Sequence, residues 1–194
     1  MKSKKQAMQE KRQRARMTAR LAWGGALLVV LSLAGYLVWS ALRPQPGREV
    51  PVMADTSHVP DGSDPGPYNS NPPSSGKHYP TDLEAGFFDE TQAAALGEYP
   101  EGYLVHNLEH GYVIFWYNCD EYGSENCGEL KDDIQAVMGQ ENNFKVIAFP
   151  WNETEHPLVL TSWGQIQEFE RFDAAAALAF VQQNRNKAPE PMAD

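Results

Sequence analysis

The chain contains the stretch Tyr112-Val113-Ile114-Phe115-Trp116-Tyr117 directly after His106-Asn107-Leu108-Glu109-His110-Gly111. Uncharged β-branched and aromatic residues predict a buried strand over the first of these stretches. His106 and His110 precede that strand, and their spacing puts them on one side whether the segment is helical or extended. Two imidazoles beside a carboxylate are typical ligands of a transition metal. The stretch therefore predicts both a central strand and a metal-type site next to it.

Regular structure is predicted along the rest of the second half. Apolar spacing and turn residues indicate a helix, a strand, a hairpin around Gly164 and a final helix. These elements cover Glu129–Met138, Phe144–Phe149, Leu158–Trp163 with Ile166–Phe172, and Ala174–Asn184 capped by Asp173. Their order suits an α/β or α+β fold with one small mixed-sheet domain, thioredoxin-like in its second half.

An apolar run without charged residues extends over residues 21–42. Its 22 residues span about 33 Å as a helix, enough to cross a hydrocarbon core of about 30 Å. A cleaved signal peptide, the alternative, has a shorter apolar part. We therefore expect a single-pass, uncleaved transmembrane signal anchor.

Basic residues are concentrated before this anchor, in residues 1–20. Such a flank stays in the cytoplasm, which puts the C-terminal part in the extracytoplasmic space at the cell membrane. We expect a linker over residues 43–54, an extracytoplasmic domain over 55–187 and a flexible tail over 188–194.

The part that follows the anchor is strongly acidic. Eight of the 16 basic residues and one of the 26 acidic residues precede position 43, so the remainder carries a net charge near −17. Nucleic acid is not expected as a partner, because phosphate binding needs clustered Lys and Arg. The membrane, and with it a membrane-protein complex, is the expected partner.

Cys119 and Cys127 are the only cysteines of the chain. An even pair in an oxidising compartment predicts a disulfide. The spacing is not the C-x-x-C of redox enzymes, so a structural role is favoured over a redox or metal-binding one.

Further candidate ligands come from the irregular segment before the strand. His78 ends a Pro- and Gly-rich stretch, and His58 lies in the same region. We expect His58, His78, His106, Glu109 and His110 to be metal ligands, with copper favoured and zinc the alternative. Glu109 reaches the metal only if its segment is a helical turn, since a strand would point it to the opposite face.

Other interpretations of the same residues stay open. The histidines could be purely structural, in a non-catalytic accessory or scaffold domain of a membrane complex, or the region could form a small-molecule or peptide pocket. His-x-x-Glu-His also matches a class of zinc hydrolases, but that chemistry needs a sustained helix. Gly111 and a strand follow at once, so we expect no helix of any length there. No catalytic residue is assigned, and an enzyme is not the favoured interpretation.

Three stretches together resemble a known family. They are Tyr68-Asn69-Ser70-Asn71-Pro72-Pro73-Ser74-Ser75-Gly76-Lys77-His78-Tyr79-Pro80, Val105-His106-Asn107-Leu108-Glu109-His110-Gly111, and Leu160-Thr161-Ser162-Trp163-Gly164 ahead of Phe172-Asp173. The chain resembles domain of unknown function family 3105 over nearly all of residues 55–190. The resemblance implies a membrane-anchored extracytoplasmic domain of a prokaryote, and it points to no particular activity because none is established for the family. The metal and its support of an envelope or respiratory process remain chemical inferences.

Overall fold

The computed structural model describes residues 4–42, 46–123 and 125–193. They form two separate units, a helix and a folded domain. The first unit is α1, Lys4–Leu42. Within it, Arg20–Val38 is long and apolar enough to cross a membrane, and none of that stretch is buried. The helix therefore fits a membrane anchor.

The domain is built on one six-stranded mixed sheet. Its strands are β1 Arg48–Glu49, β2 Gly86–Phe87, β3 Val113–Tyr117, β4 Val146–Pro150, β5 Leu158–Ser162 and β6 Gln165–Phe169, in the spatial order β1-β6-β5-β3-β4-β2. β4 is parallel to β3 and to β2, whereas the β3–β5, β5–β6 and β1–β6 pairs are antiparallel. Central β3 is buried along its whole length, as its sequence predicts.

Helices cover both faces of this sheet. They are α2 Glu90–Ala94, α3 Glu101–Glu109, α4 Cys119–Tyr122, α5 Cys127–Gln140 and α6 Ala174–Asn184. Successive residues of β3 point to opposite faces. Phe115 packs in a core with α5 and α6, while Trp116 packs in a second core with α2 and α3. The second core is the one that positions α3.

The mixed α/β fold predicted from the sequence is confirmed. Each predicted element of the second half is present, with ends that differ by at most three residues, and Asp173 caps α6 as expected. Parallel β3 and β4 joined by α5, followed by the β5–β6 hairpin and α6, have the order of strand, helix, strand, strand and helix that the sequence predicts.

The segments around the domain also make specific contacts. Arg48–Glu49, inside the range expected to be a linker, pairs with β6 as β1. In the range expected to be a flexible tail, the Glu190 amide donates to the Glu109 carbonyl at 3.0 Å. Both ends of the described domain are thus fastened to it.

Candidate metal centre

His78 lies at the end of the long irregular segment and is completely buried. Its Nδ1–H donates to the Gly76 carbonyl at 2.8 Å. This bond fixes the tautomer, so Nε2 carries the lone pair of the neutral ring, as in protein metal sites where a backbone carbonyl orients the ligand. Nε2 lies 3.0 Å from Glu109 Oε2. Two acceptor atoms at this distance need a cation between them, either a proton or a metal ion.

Gly76 is required for this arrangement of the loop. Its φ of +134° is unfavourable for other residues, and a Cβ would lie 2.8 Å from the Tyr68 ring and 2.9 Å from Met53 Sδ. The loop is further tied down where Ser75 Oγ accepts a hydrogen bond from the Met53 amide at 3.1 Å. His78 is therefore held by a packed loop.

The His-x-x-Glu-His motif lies at the end of α3. Leu104 and Leu108, one turn apart, are fully buried against the sheet. The helix ends at Glu109 because the chain turns at Gly111, whose φ is +84°. Glycine is required at this turn, since a Cβ would lie 2.8 Å from the Asn186 backbone. The expectation that no helix surrounds the motif is wrong, since the nine-residue helix α3 contains the first four of its five residues, and His110 caps the end of the helix.

His58 comes from a third segment, which lies beside the segment of His78. The two residues form an isolated parallel bridge, in which the Val59 amide donates to the His78 carbonyl at 2.8 Å. The ring centroid of His58 is 4.7 Å from that of His78 and 5.3 Å from that of His106. The centroids of His78 and His106 are 5.2 Å apart.

Four residues converge at this point, and we call them the four-residue cluster: His58, His78, His106 and Glu109. Each offers one ligand atom, and these atoms all lie within 4.8 Å of one another. Ligand atoms of a tetrahedral zinc site lie about 3.3 Å apart, given bonds of about 2.0–2.1 Å. Small side-chain rotations would close the cluster on an ion. Glu109 reaches the cluster because its segment is helical, which settles the two orientations that the sequence left open.

The surroundings keep His106 in the form that a metal needs. Burial lowers the pKa of His106, and the neighbouring His110 lowers it further. Burial therefore favours the neutral ring, whose lone pair could coordinate a metal ion.

His110 does not belong to the four-residue cluster. Its ring stacks edge-on against His106 with centroids 4.3 Å apart, and its Nε2 lies 3.9 Å from Glu190 Oε2. Nδ1 of His106 and Nδ1 of His110 are both buried without a hydrogen-bond partner among the described residues. The helix brings the two histidines together, as their spacing predicts, but the structure groups only His106 with His58 and His78.

Lys145 is a residue that sequence reasoning missed. Its buried ammonium donates to the carbonyls of His110 at 3.0 Å, Pro191 at 2.8 Å and Ala193 at 3.1 Å. A cation at this position is favourable at the C-terminal end of α3. Lys145 has a positive φ of 50°, which its residue type does not predict, although Asn142 and Asn143 just before it, with φ 55° and 53°, are of a type that suits this conformation.

The disulfide between Cys119 and Cys127 is confirmed. It joins the first residue of α4 to the first residue of α5, next to the end of β3, where the sequence places it. Glu90 lies near both sulfurs, but sulfurs already bonded to each other are not thiolate ligands. The disulfide therefore acts in the regular half of the domain, apart from the four-residue cluster.

Two open clefts of about 860 Å³ and 850 Å³ lie elsewhere in the domain, and no member of the four-residue cluster lines either one. Tyr68, in the irregular segment, lines the first cleft. Tyr79 is fully buried and packs edge-on against Tyr103. The histidines and these two clefts are thus in different places.

A family model described as "Protein of unknown function (DUF3105)" matches residues 61–194. The chain belongs to this family. Three members of the four-residue cluster lie within the matched region, and His58 lies just before it. No curated protein and no solved structure matches the chain.

Proposed function

We propose that this member of the DUF3105 family binds one transition-metal ion through His58, His78, His106 and Glu109. The observation that carries the proposal is the orientation of His78. Its Nδ1 is committed to the Gly76 carbonyl, and its Nε2 faces the Glu109 carboxylate at 3.0 Å. A metal ion would replace the proton that otherwise has to lie between these two acceptors.

Copper is the favoured metal. Three imidazoles and a carboxylate form a site of nitrogen and oxygen donors, for which Cu²⁺ has the highest affinity among the divalent first-row metals. No thiolate competes, because both cysteines are joined in the disulfide. Zinc is the alternative, since the same donors are common in its tetrahedral sites.

The proposed location is the extracytoplasmic side of the cell membrane. The candidate span Arg20–Val38 and the disulfide support it, as does the positive-inside rule applied to residues 1–20. A copper-binding domain held there would serve an envelope or respiratory process.

Metal analysis of the full chain, purified in detergent and dialysed against Cu²⁺ or Zn²⁺, tests the proposal. We expect about one bound ion per chain, tighter for copper, and loss of most of it in Glu109→Gln, which removes one ligand and changes little volume. His156→Ala is the matched control, because His156 lies outside the cluster beside Glu170. His110→Ala should also retain the ion. Negligible metal in the unaltered protein would refute the proposal.

Metal-free scaffolding is the second candidate function, and the direct His78–Glu109 contact favours it. If a proton holds that pair, the histidines only pin the irregular segment to α3, and the domain serves as an accessory part of a membrane complex. Glu109→Gln would then lower the free energy of unfolding by about 1–3 kcal/mol in metal-free buffer. Denaturant titration in the presence of EDTA separates this outcome from metal loss.

Zinc hydrolysis is not supported by the same geometry. That chemistry needs both histidines of the motif on one metal and a glutamate free to activate water. Here Glu109 contacts His78, and His110 lies outside the four-residue cluster.

A further inference from the structure

The four-residue cluster is closed on three sides and open on one. The side chains of His78 and Glu109 are 0% and 13% exposed, and His106 is 6% exposed, whereas the His58 side chain is 51% exposed. A metal held by these residues would therefore face solvent only across the His58 imidazole. Among the four residues, His58 is thus the one whose side chain is largely exposed to solvent.

His58 is also the most weakly fixed of the three imidazoles. The His78 ring is held by the Gly76 carbonyl, and His106 is carried by α3. Among the described residues, the His58 ring has no hydrogen-bond partner, and its nearest ionic neighbour is Glu109 Oε2 at 3.9 Å. Its segment is joined to that of His78 by backbone hydrogen bonds of 2.8 Å and 3.4 Å and by the Lys77–Asp55 ion pair at 3.3 Å, but these contacts hold the backbone and not the His58 ring. The ring can turn into solvent without breaking a hydrogen bond of its own.

We propose that His58 is the exchangeable ligand of this site, and that an external imidazole, such as a histidine of a partner protein, takes its place during metal transfer. This inference rests on the proposed metal-binding function. In the exchange, the bond from the metal to the His58 nitrogen breaks and a bond to the incoming nitrogen forms. His78, His106 and Glu109 stay bound, and neither the charge nor the oxidation state changes. One neutral nitrogen donor replaces another, so Glu109 continues to balance part of the metal charge.

Rescue by free imidazole tests this inference on the full chain in detergent. His58→Ala removes an exposed ring, so imidazole from solution can enter the vacated position. We expect Cu²⁺-loaded His58→Ala to keep its copper, to show an altered electron paramagnetic resonance spectrum, and to regain the spectrum of the unaltered protein on addition of millimolar imidazole. His78→Ala, whose ring is completely buried, should not be restored. His156→Ala should match the unaltered protein throughout.

Copper removal by EDTA gives a second readout. We expect the release rate of His58→Ala to exceed that of the unaltered protein by about tenfold or more, and added imidazole to reverse the increase. Three results would overturn the inference: a His58→Ala spectrum and release rate equal to those of the unaltered protein, no response of this variant to imidazole, or equal rescue of His78→Ala. Absence of copper from the unaltered protein would instead refute the proposed function itself, so the two failures are distinguishable.

Discussion

Residues 113–184 and residues 46–111 of the domain are held together by different means. In the first region, the backbone groups of β3–β6, α5 and α6 pair with one another in regular ladders. In the second, which we call the irregular region, α2, α3 and the short strands β1 and β2 are joined by long irregular stretches that side chains hold, as where Tyr68 donates its hydroxyl to the Lys77 carbonyl at 2.9 Å. The four-residue cluster lies entirely in this second region. The regular region supplies a packed support, and the irregular region brings distant residues to one point.

The largest expected effect comes from Trp116→Ala in the regular region. Trp116 is fully buried, and its Nε1–H donates to Thr161 Oγ1 at 2.7 Å. We expect the free energy of unfolding to fall by about 3–5 kcal/mol, because a cavity forms and the Thr161 hydroxyl loses its donor. Denaturant titration followed by circular dichroism measures it. Trp151→Ala, at a less buried position, is the control, and an equal loss there would remove the distinction between core and periphery.

Removing the disulfide should separate stability from metal binding. For Cys119→Ala combined with Cys127→Ala, we expect a loss of about 2–3 kcal/mol, since the unfolded chain is no longer constrained by this short loop. Copper stoichiometry should not change, because the disulfide joins α4 to α5 in the regular region. A parallel loss of copper would show that the two regions are not independent.

Gly76→Ala probes the irregular region directly. The new Cβ would collide with the Tyr68 ring at a backbone conformation that favours glycine, so we expect a loss of about 1–3 kcal/mol and weaker metal binding. Gly128→Ala is the matched control. Gly128 lies within α5 with nothing within 4 Å of an added Cβ, so this change should raise stability by about 0.5–1 kcal/mol. Gly76→Ala with unchanged metal affinity would contradict the role assigned to the loop.

Asp173→Ala is the smallest of these changes. The Asp173 side chain accepts a hydrogen bond from the Ala176 amide at 3.0 Å and caps α6. Its removal should cost about 1 kcal/mol and leave the metal affinity unaltered. Thermal unfolding in the presence and absence of copper checks both statements, and a change in affinity would connect α6 to the four-residue cluster.

The two regions also differ in how well the sequence predicts them. β3 and α6 were predicted closely because an apolar run and an N-cap residue are local signals. α3 was missed although Leu104 and Leu108 have helical spacing. Gly102, which argues against a helix, lies inside it because the Tyr79 ring occupies the space where a Cβ would be, with ring atoms 2.5 Å away. The contact between Gly102 and Tyr79 joins residues that are far apart in the sequence, so no local sequence pattern predicts it.

The candidate site shows the same limit. Sequence reasoning found every member of the four-residue cluster, since imidazoles and a carboxylate are recognisable ligands at any position. The sequence also placed His110 among the ligands. The spacing of His106 and His110 shows that the two residues are neighbours, but it does not show which way each ring faces. The bridge between His58 and His78 involves one residue from each segment, too little to produce a strand pattern.

The Lys145 ammonium couples the end of α3 to residues 191 and 193. It binds one carbonyl at the end of α3 and two from residues 191 and 193. Removal of residues 191–193 would take away two of the three carbonyl acceptors that hold this ammonium at the end of α3. The damage would then appear at the α3 terminus as faster amide exchange at Gly111 and Tyr112, although the cut is made at a distance in sequence.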